Sequence, residues 1–230
     1  MLQSIGKKNK YILLIITFLL LTTINNTNFV NSKIFSTNIQ SVEVVGLNEN
    51  LNLEIQERLN YIKNSNIFYI NKDLFKKEIN KYNFIESFKV SKFYPKNIIL
   101  KINQTNFLAT TIRNNKKYII GSNGKLIEYE LFNNNQNLPL IFGNFNNKDF
   151  LIFKQKIDQS SFKYSNIKNF FSYPSKRWDI ETIDNLLIKL PSKNTELALE
   201  RAQKIIESKK FTNNIIDLRI SNQIILPNEW

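Results

Sequence analysis

The side chains able to do chemistry in this sequence are carboxylates, lysines, arginines and tyrosines. Histidine and cysteine are absent from all 230 residues, which excludes Ser-His-Asp catalysis, ordinary zinc sites, disulfides and cysteine nucleophiles. The 19 Asp and Glu residues stand singly, most often beside lysines, and none of them clusters in a recognisable catalytic motif. Ion pairing and charge-assisted hydrogen bonding remain, so we predict a protein that is not an enzyme and holds no cofactor or metal.

Two short motifs combine arginine and aspartate in strand-like segments, Lys176-Arg-Trp-Asp-Ile180 and Ile216-Asp-Leu-Arg219. Trp178 is predicted to be a core residue, with Arg177 exposed beside it. For Asp217 and Arg219, a structural cross-strand pair and a role in binding a partner both stay open.

A net charge of +13, with 18 Phe and 9 Tyr, invites a nucleic-acid hypothesis. The lysines are spread along the chain, however, and neither an arginine-rich tract nor an aromatic-basic motif of the RNP type is present. We therefore predict no nucleic-acid partner and no small-molecule substrate. A basic surface facing anionic lipid headgroups or an acidic cell wall remains open.

An apolar run at residues 11–24 follows a basic flank made of Lys7, Lys8 and Lys10. The run spans about 21 Å as a helix, which is short for crossing a bilayer and resembles the core of a signal peptide. No alanine precedes Ala109, so an Ala-x-Ala cleavage site is missing. We therefore predict an uncleaved single-pass anchor at residues 11–30, with residues 1–10 in the cytoplasm and the rest outside it.

Residues 37–105 show the pattern of a small sheet covered by two helices. Apolar residues alternate in three predicted strands, at Val42 and Val44, at Phe88 and Val90, and at Ile98, Leu100 and Ile102. Helical spacing predicts helices at 54–64 and 72–82, the first with an apolar stripe at Ile55, Leu59 and Ile62. The order is β-α-α-β-β.

Residues 106–230 are predicted to form a β-rich unit with flanking helices. Gly121-Ser-Asn-Gly124 has the residues of a hairpin turn between strands at 118–120 and 125–128. Helices are predicted at 148–158 and after Pro191, the second with Leu197, Ala198, Ala202 and Ile205 inward. The other predicted strands lie at 167–173, 176–181, 186–190, 215–220 and 223–226. The fold class is thus α+β.

In this order, the landmarks resemble the FtsQ/DivIB family of bacterial cell-division proteins. The resemblance runs from about Lys7 to Leu226 and includes Tyr94-Pro-Lys-Asn97, Leu138-Pro-Leu-Ile-Phe-Gly143 and Ile188-Lys-Leu-Pro191 besides the two arginine motifs. It implies a bitopic (type II) inner-membrane protein with a periplasmic POTRA domain and a β-rich C-terminal domain. It also implies a non-catalytic scaffold of the divisome that binds FtsB and FtsL at the septum.

The resemblance places the partner site near Arg177 and the terminal strands. A last strand pair at 215–220 and 223–226 would leave an open sheet edge, to which an extended segment of FtsB can add as a strand. The site residues predicted on this basis are Arg177, Arg219, Ile220, Asn222 and Gln223. Ile220 stands where relatives often carry an aromatic residue.

Two alternatives stay open, an outer-membrane assembly or secretion component with a POTRA unit, and a membrane-anchored periplasmic cell-wall enzyme. The first type usually has POTRA repeats and a C-terminal barrel, and the second needs a pair of carboxylates in a cleft. A ring at mid-cell in dividing cells would separate the division scaffold from both.

Overall fold

The computed structural model describes residues 7–23, 37–132, 137–208 and 214–220. Its first helix, α1, spans Lys7–Thr23, and the apolar side chains described in it are exposed. The transmembrane helix predicted at 11–30 is not found as such, because no described helix combines the length and apolar character needed to cross a membrane. Residues 24–30 of that prediction lie outside the described residues.

Residues 37–105 form a unit with three strands and two helices. Its strands are β1 (Ser41–Val45), β2 (Ile85–Phe93) and β3 (Asn97–Gln104), and its two α-helices are α2 (Glu49–Arg58) and α3 (Lys72–Ile79). A short 3₁₀ turn at Asn60–Ile62 follows α2. The strand order in the sheet is β1-β3-β2, and the predicted β-α-α-β-β order along the chain is confirmed. Both helices begin at an asparagine that caps the first turn, Asn48 for α2 and Asn71 for α3.

The strand directions determine at which end of the three-stranded unit the chain enters and at which end it leaves. β1 pairs with β3 in parallel, and Ser41 lies beside Asn97, the residue that follows the β2–β3 turn. The chain therefore enters the unit at the end that carries this turn. It leaves at the opposite end, after Gln104.

Residues 106–220 form an eight-stranded unit, as far as they are described. The strands are β4 (Phe107–Arg113), β5 (Lys116–Gly121), β6 (Leu126–Glu128), β7 (Leu140–Phe142), β8 (Ile167–Ser172), β9 (Trp178–Thr182), β10 (Leu187–Lys189) and β11 (Ile215–Asp217). Their order in the sheet is β11-β10-β9-β8-β7-β4-β5-β6. Two helices cover one face of this sheet, α4 (Asn147–Gln159) and α5 (Thr195–Glu207). Short 3₁₀ helices lie at Tyr129–Phe132 and Tyr164–Asn166.

The last strand differs from its prediction. β11 has only three residues and pairs in parallel with β10. The predicted strand at 223–226 lies outside the described residues.

The helix-facing side of this sheet is an aromatic core. Trp178 is buried, as predicted, and its ring stacks on Phe153 of α4 at 5.1 Å between centroids. Phe145, Phe150 and Phe170 surround the same indole. The other side, which we call the open face, carries the residues that alternate with this core.

The two units meet through polar and aromatic contacts. The Asn123 side chain donates to the carbonyls of Asn83 and Ile85, at 2.9 and 3.3 Å, and Phe84 meets Phe132 edge-on at 5.2 Å. A Cβ on Gly121 would collide with Thr105, so the backbone packs closely at this point.

Candidate functional site

β11 lies at one edge of the described sheet. Asn214 accepts from the backbone N–H of Leu187 at 2.8 Å, and the Leu218 N–H donates to Lys189 at 2.9 Å. Because successive residues of a strand direct their backbone groups to opposite sides, the N–H and C=O groups of Ile215 and Asp217 face away from β10. No described strand pairs with that side.

Asp217 and Arg219 form a tight ion pair on this edge strand. The guanidinium donates from Nε to both carboxylate oxygens at 2.9 Å and from Nη2 to Oδ2 at 2.6 Å. The Arg219 backbone N–H also reaches Oδ1, at 3.1 Å. These hydrogen bonds hold the pKa of Asp217 below its usual range and raise the pKa of Arg219. The structural pairing of these two residues is thus between the last residue of β11 and the segment that follows it, not across strands.

Arg177 makes an equivalent pair with Asp179. Its Nε and Nη2 donate to the two carboxylate oxygens at 3.2 and 3.3 Å, and the Leu190 N–H donates to the same carboxylate at 3.2 Å. The guanidinium lies 4.1 Å from the centroid of the Tyr173 ring. Arg177 is therefore half-buried and held from two sides, which differs from the exposed residue that we predicted.

These pairs belong to one row across the open face. The strand register aligns Asp179 with Lys189, and Lys189 with Asp217. Phe171 continues the row beyond Asp179 and stacks on Phe142 at 5.4 Å. Charges of alternating sign, ending in Arg177 and Arg219, thus lie beside an aromatic pair in which Phe142 is exposed and Phe171 is partly buried.

The structure brings two of the predicted site residues together. Asp179 and Tyr173, which hold Arg177, are also close enough to Arg219 to act on its pKa. Ile220 follows on the same segment and is 49% exposed. Asn222 and Gln223 lie outside the described residues.

Asp179, Lys189 and Tyr173 are not among the predicted site residues. For Asp179 the signal lies in the spacing, since Arg177-Trp-Asp179 and Asp217-Leu-Arg219 both place an arginine two residues from an aspartate. In a strand, residues two apart share a face. The pairing could have been predicted on that ground. Lys189 and Tyr173 join the site through strand register and a ring contact.

The chemistry that this arrangement supports is recognition. Each arginine uses Nε and Nη2 on its own aspartate, which leaves Nη1 hydrogens for an incoming acceptor. In the described part of the chain, no group of three or more Asp or Glu residues is placed to hold a metal ion. The absence of a cofactor stays a prediction.

The ion pair on β11 predicts a pH-dependent stability. Because the pKa of folded Asp217 lies below the unfolded value of about 3.9, its stabilising contribution is present above about pH 4 and is lost as the pH falls through the folded pKa. Asp217→Asn should thus be less stable than the parent at pH 7, and this gap should close at lower pH. Urea unfolding at a series of pH values measures it.

The matched control is Asp184→Asn, which changes an exposed aspartate in the β9–β10 turn. A gap that stayed constant for Asp217→Asn down to acid pH would contradict the prediction.

Comparisons with known proteins agree on one family. A model of the C-terminal part of the cell division protein FtsQ/DivIB matches residues 109–219, and a model of the FtsQ-type POTRA domain matches residues 37–103. The cell division proteins FtsQ of Rickettsia bellii and Rickettsia felis are each 27% identical over 172 residues, which cover 72% of this chain. The chain spans 62% of the length of these curated relatives.

A solved structure of the major extracytoplasmic domain of DivIB from Geobacillus stearothermophilus aligns with a TM-score of 0.35 and 10% identity, over 48% of this chain and 99% of that one. The two family models cover both units of the fold in the order that the sequence resemblance predicted. The chain belongs to the FtsQ/DivIB family.

Proposed function

We propose that this chain is a non-catalytic scaffold of the bacterial division complex, and that it offers the β11 edge to an extended segment of FtsB. The observation that carries the proposal is the outer side of β11, with which no strand of the described residues pairs. It is flanked by Arg177 and Arg219, whose Nη1 groups are not used in the pairs with their own aspartates. Family membership supports the link to cell division, since both relatives are named as division proteins.

Strand addition fits the chemistry of this edge. An incoming strand satisfies the outward N–H and C=O groups of Ile215 and Asp217, and the neighbouring side chains supply specificity. A carboxylate on the partner that reaches Arg177 or Arg219 would form charge-assisted hydrogen bonds of about 1.5–3 kcal/mol each. An acidic residue next to the added strand is therefore part of the proposed partner chemistry. FtsL takes part through its complex with FtsB.

The test is a calorimetric titration of the full-length protein in detergent with the periplasmic segment of FtsB. Deleting residues 215–230 should abolish binding while the three-stranded unit stays folded. Ile216 and Leu218 are buried, however, so this deletion also removes core side chains. A point change that blocks only the outer side of β11 is a sharper test.

Ile215→Pro is that change. Proline is tolerated on the solvent side of an edge strand but has no N–H, and its ring obstructs a strand that approaches from that side. We expect a loss of about tenfold in affinity, since one interstrand hydrogen bond contributes up to about 1.5 kcal/mol. Ile215→Val keeps the N–H and is the matched control. If the deletion or Ile215→Pro binds as tightly as the parent, the site lies elsewhere.

We also propose that the N-terminal segment anchors the chain in the inner membrane, with both units in the periplasm at the septum. The support is a helix whose described side chains from Tyr11 to Leu21 include ten exposed large apolar residues, following the basic flank. A helix apolar on all sides is stable only when buried in protein or lipid.

The protein should stay in the membrane pellet after carbonate extraction, and protease added to spheroplasts should degrade it. Recovery of a soluble form beginning near Ser32 would contradict this topology.

A further inference from the structure

One end of the three-stranded unit carries a cluster of exposed aromatic side chains, which we call the aromatic tip. The tip consists of the loop at residues 63–70 and the β2–β3 turn. Its four aromatic side chains are more than half exposed, with fractions of 60% for Phe68, 86% for Tyr69, 52% for Phe93 and 58% for Tyr94. Four such residues at one end of a small unit are unusual for a surface that faces only water.

The aromatic tip is held in place by the fold. Lys92 of β2 donates to the carbonyls of Ile67 and Ile70 at 2.8 and 2.7 Å, which ties the loop to the hairpin. The Asn66 side chain accepts from the Phe68 N–H at 2.9 Å, and the Phe68 ring stacks on Tyr94 at 5.1 Å. The loop that carries these rings is thus held in place by hydrogen bonds and by ring stacking.

The position of the tip in the chain points to what it faces. Asn38 pairs with Asn66, and the Ile67 N–H donates to the Thr37 carbonyl at 3.0 Å, so the chain enters the unit within the tip itself. Thirteen residues connect Thr23 of α1 to Thr37, and they reach at most about 50 Å when fully extended. The tip is therefore the part of the folded units tethered nearest to α1.

The charged residues of the tip are all basic. Segments 37–41, 61–71 and 91–97 contain three lysines, Lys63, Lys92 and Lys96, and no Asp or Glu. Aromatic side chains with a polar end settle at the level of lipid headgroups, and lysines are attracted to anionic lipids. Aromatic rings, lysines and the absence of carboxylates together match an anionic bilayer surface.

We infer that the aromatic tip docks on the anionic surface of the membrane that holds the anchor, with Phe68, Tyr69, Phe93 and Tyr94 at the headgroup level. The inference rests on the proposed membrane anchor. It adds a second contact with the lipid, made by the folded unit. Docking fixes the orientation of the three-stranded unit relative to the bilayer.

The test places a lipid-sensitive fluorophore in the tip of the full-length protein. Tyr69→Trp keeps an amphipathic ring, and Trp230→Phe in the same chain leaves Trp178, which is buried in the aromatic core, as a constant background. The protein is reconstituted into vesicles of phosphatidylglycerol and phosphatidylcholine with brominated acyl chains, which quench indoles that reach the bilayer. Asn80→Trp, at the far end of the same unit, is the matched control.

We expect brominated vesicles to quench the new indole of the Tyr69→Trp protein and to leave that of the Asn80→Trp protein unchanged. Vesicles of phosphatidylcholine alone should reduce the quenching, since each lysine near an anionic leaflet contributes about fivefold to surface affinity. The double substitution Phe68→Ser with Phe93→Ser should reduce the quenching further. Each ring that enters the boundary between headgroups and acyl chains is expected to change the docking equilibrium constant by about tenfold or more. Leu53→Ser, which changes a similarly exposed residue away from the tip, should have no effect.

Vesicle flotation separates the two proposals. If the Tyr69→Trp protein floats with the vesicles and its new indole stays unquenched, the anchor stands and docking of the tip is overturned, which would leave the rings to a protein partner. If the protein does not float, the anchor and the docking inference both fail.

Discussion

Replacing Arg177 with alanine is expected to lower the free energy of unfolding of the eight-stranded unit by about 3–5 kcal/mol. The side chain of Asp179 is only 1% exposed, and Arg177 is the cation that forms an ion pair with it. Without the guanidinium, the carboxylate still accepts from the Leu190 N–H at 3.2 Å and lies beside Lys189 in the strand register, but its buried charge loses both hydrogen bonds from its ion-pair partner, which is costly. Chemical denaturation followed by circular dichroism measures the change.

Arg58→Ala is the matched control for this substitution. Arg58 also pairs with one carboxylate, Glu54 at 3.3 Å, and also lies over a tyrosine ring, but both members of this ion pair are about half exposed. Exposed pairs contribute about 1 kcal/mol or less. Equal losses for the two alanine variants would show that burial of Asp179 does not set the cost. The comparison also matters for a test of the proposed FtsB binding, because a loss of affinity in Arg177→Ala has to be separated from partial unfolding.

Trp178→Ala should destabilise the same unit by about 3–5 kcal/mol. The indole is 6% exposed and contacts four phenylalanines between the sheet and α4. Its removal leaves a cavity that rings on rigid elements cannot fill, and it also ends the stacking on Phe153. Thermal or urea unfolding monitored by far-UV circular dichroism reports the loss.

Phe142→Ala is the control on the open face of the same sheet. Phe142 is 42% exposed and stacks on Phe171, so its removal costs less buried area and creates no closed cavity. If the two variants lose equal stability, the core does not lie on the helix side of the sheet as described.

The first unit can be predicted well because its signals are local. Alternation at Val42 and Val44 and at Ile98 and Leu100 marks strands with one buried face, and all four residues are buried. The first predicted helix is displaced, since α2 begins at Glu49 instead of 54, whereas α3 begins at Lys72 as predicted. The start of α2 is set by a cap outside the apolar stripe, because the Asn48 side chain accepts from the Leu51 N–H at 2.9 Å.

The second unit is harder to predict because its pairing is non-local. β4 was not predicted as a strand, although it joins the two halves of the sheet between β7 and β5. The predicted α5 stripe is partly wrong, because Leu197 is exposed and Leu199 is buried in its place. β11 reaches β10 only after a helix and a long connection, and no local pattern encodes such a pairing. The ion pairs that form the candidate site depend on that alignment.

The strand directions of the first unit also set the distance between the point where the chain enters this unit and the point where the eight-stranded unit begins. Since the chain enters at one end of β3 and leaves at the other, the eight-stranded unit begins one strand length further on, or about 26 Å for eight residues. The hydrogen bonds from Asn123 to Asn83 and Ile85 join the two units at the end where the chain leaves the first one. The first unit thus acts as a spacer. Under the proposed anchoring and docking, a membrane-bound partner of β11 needs a stalk long enough to reach past the first unit, so the length of the stalk would act as a selection criterion in addition to its sequence.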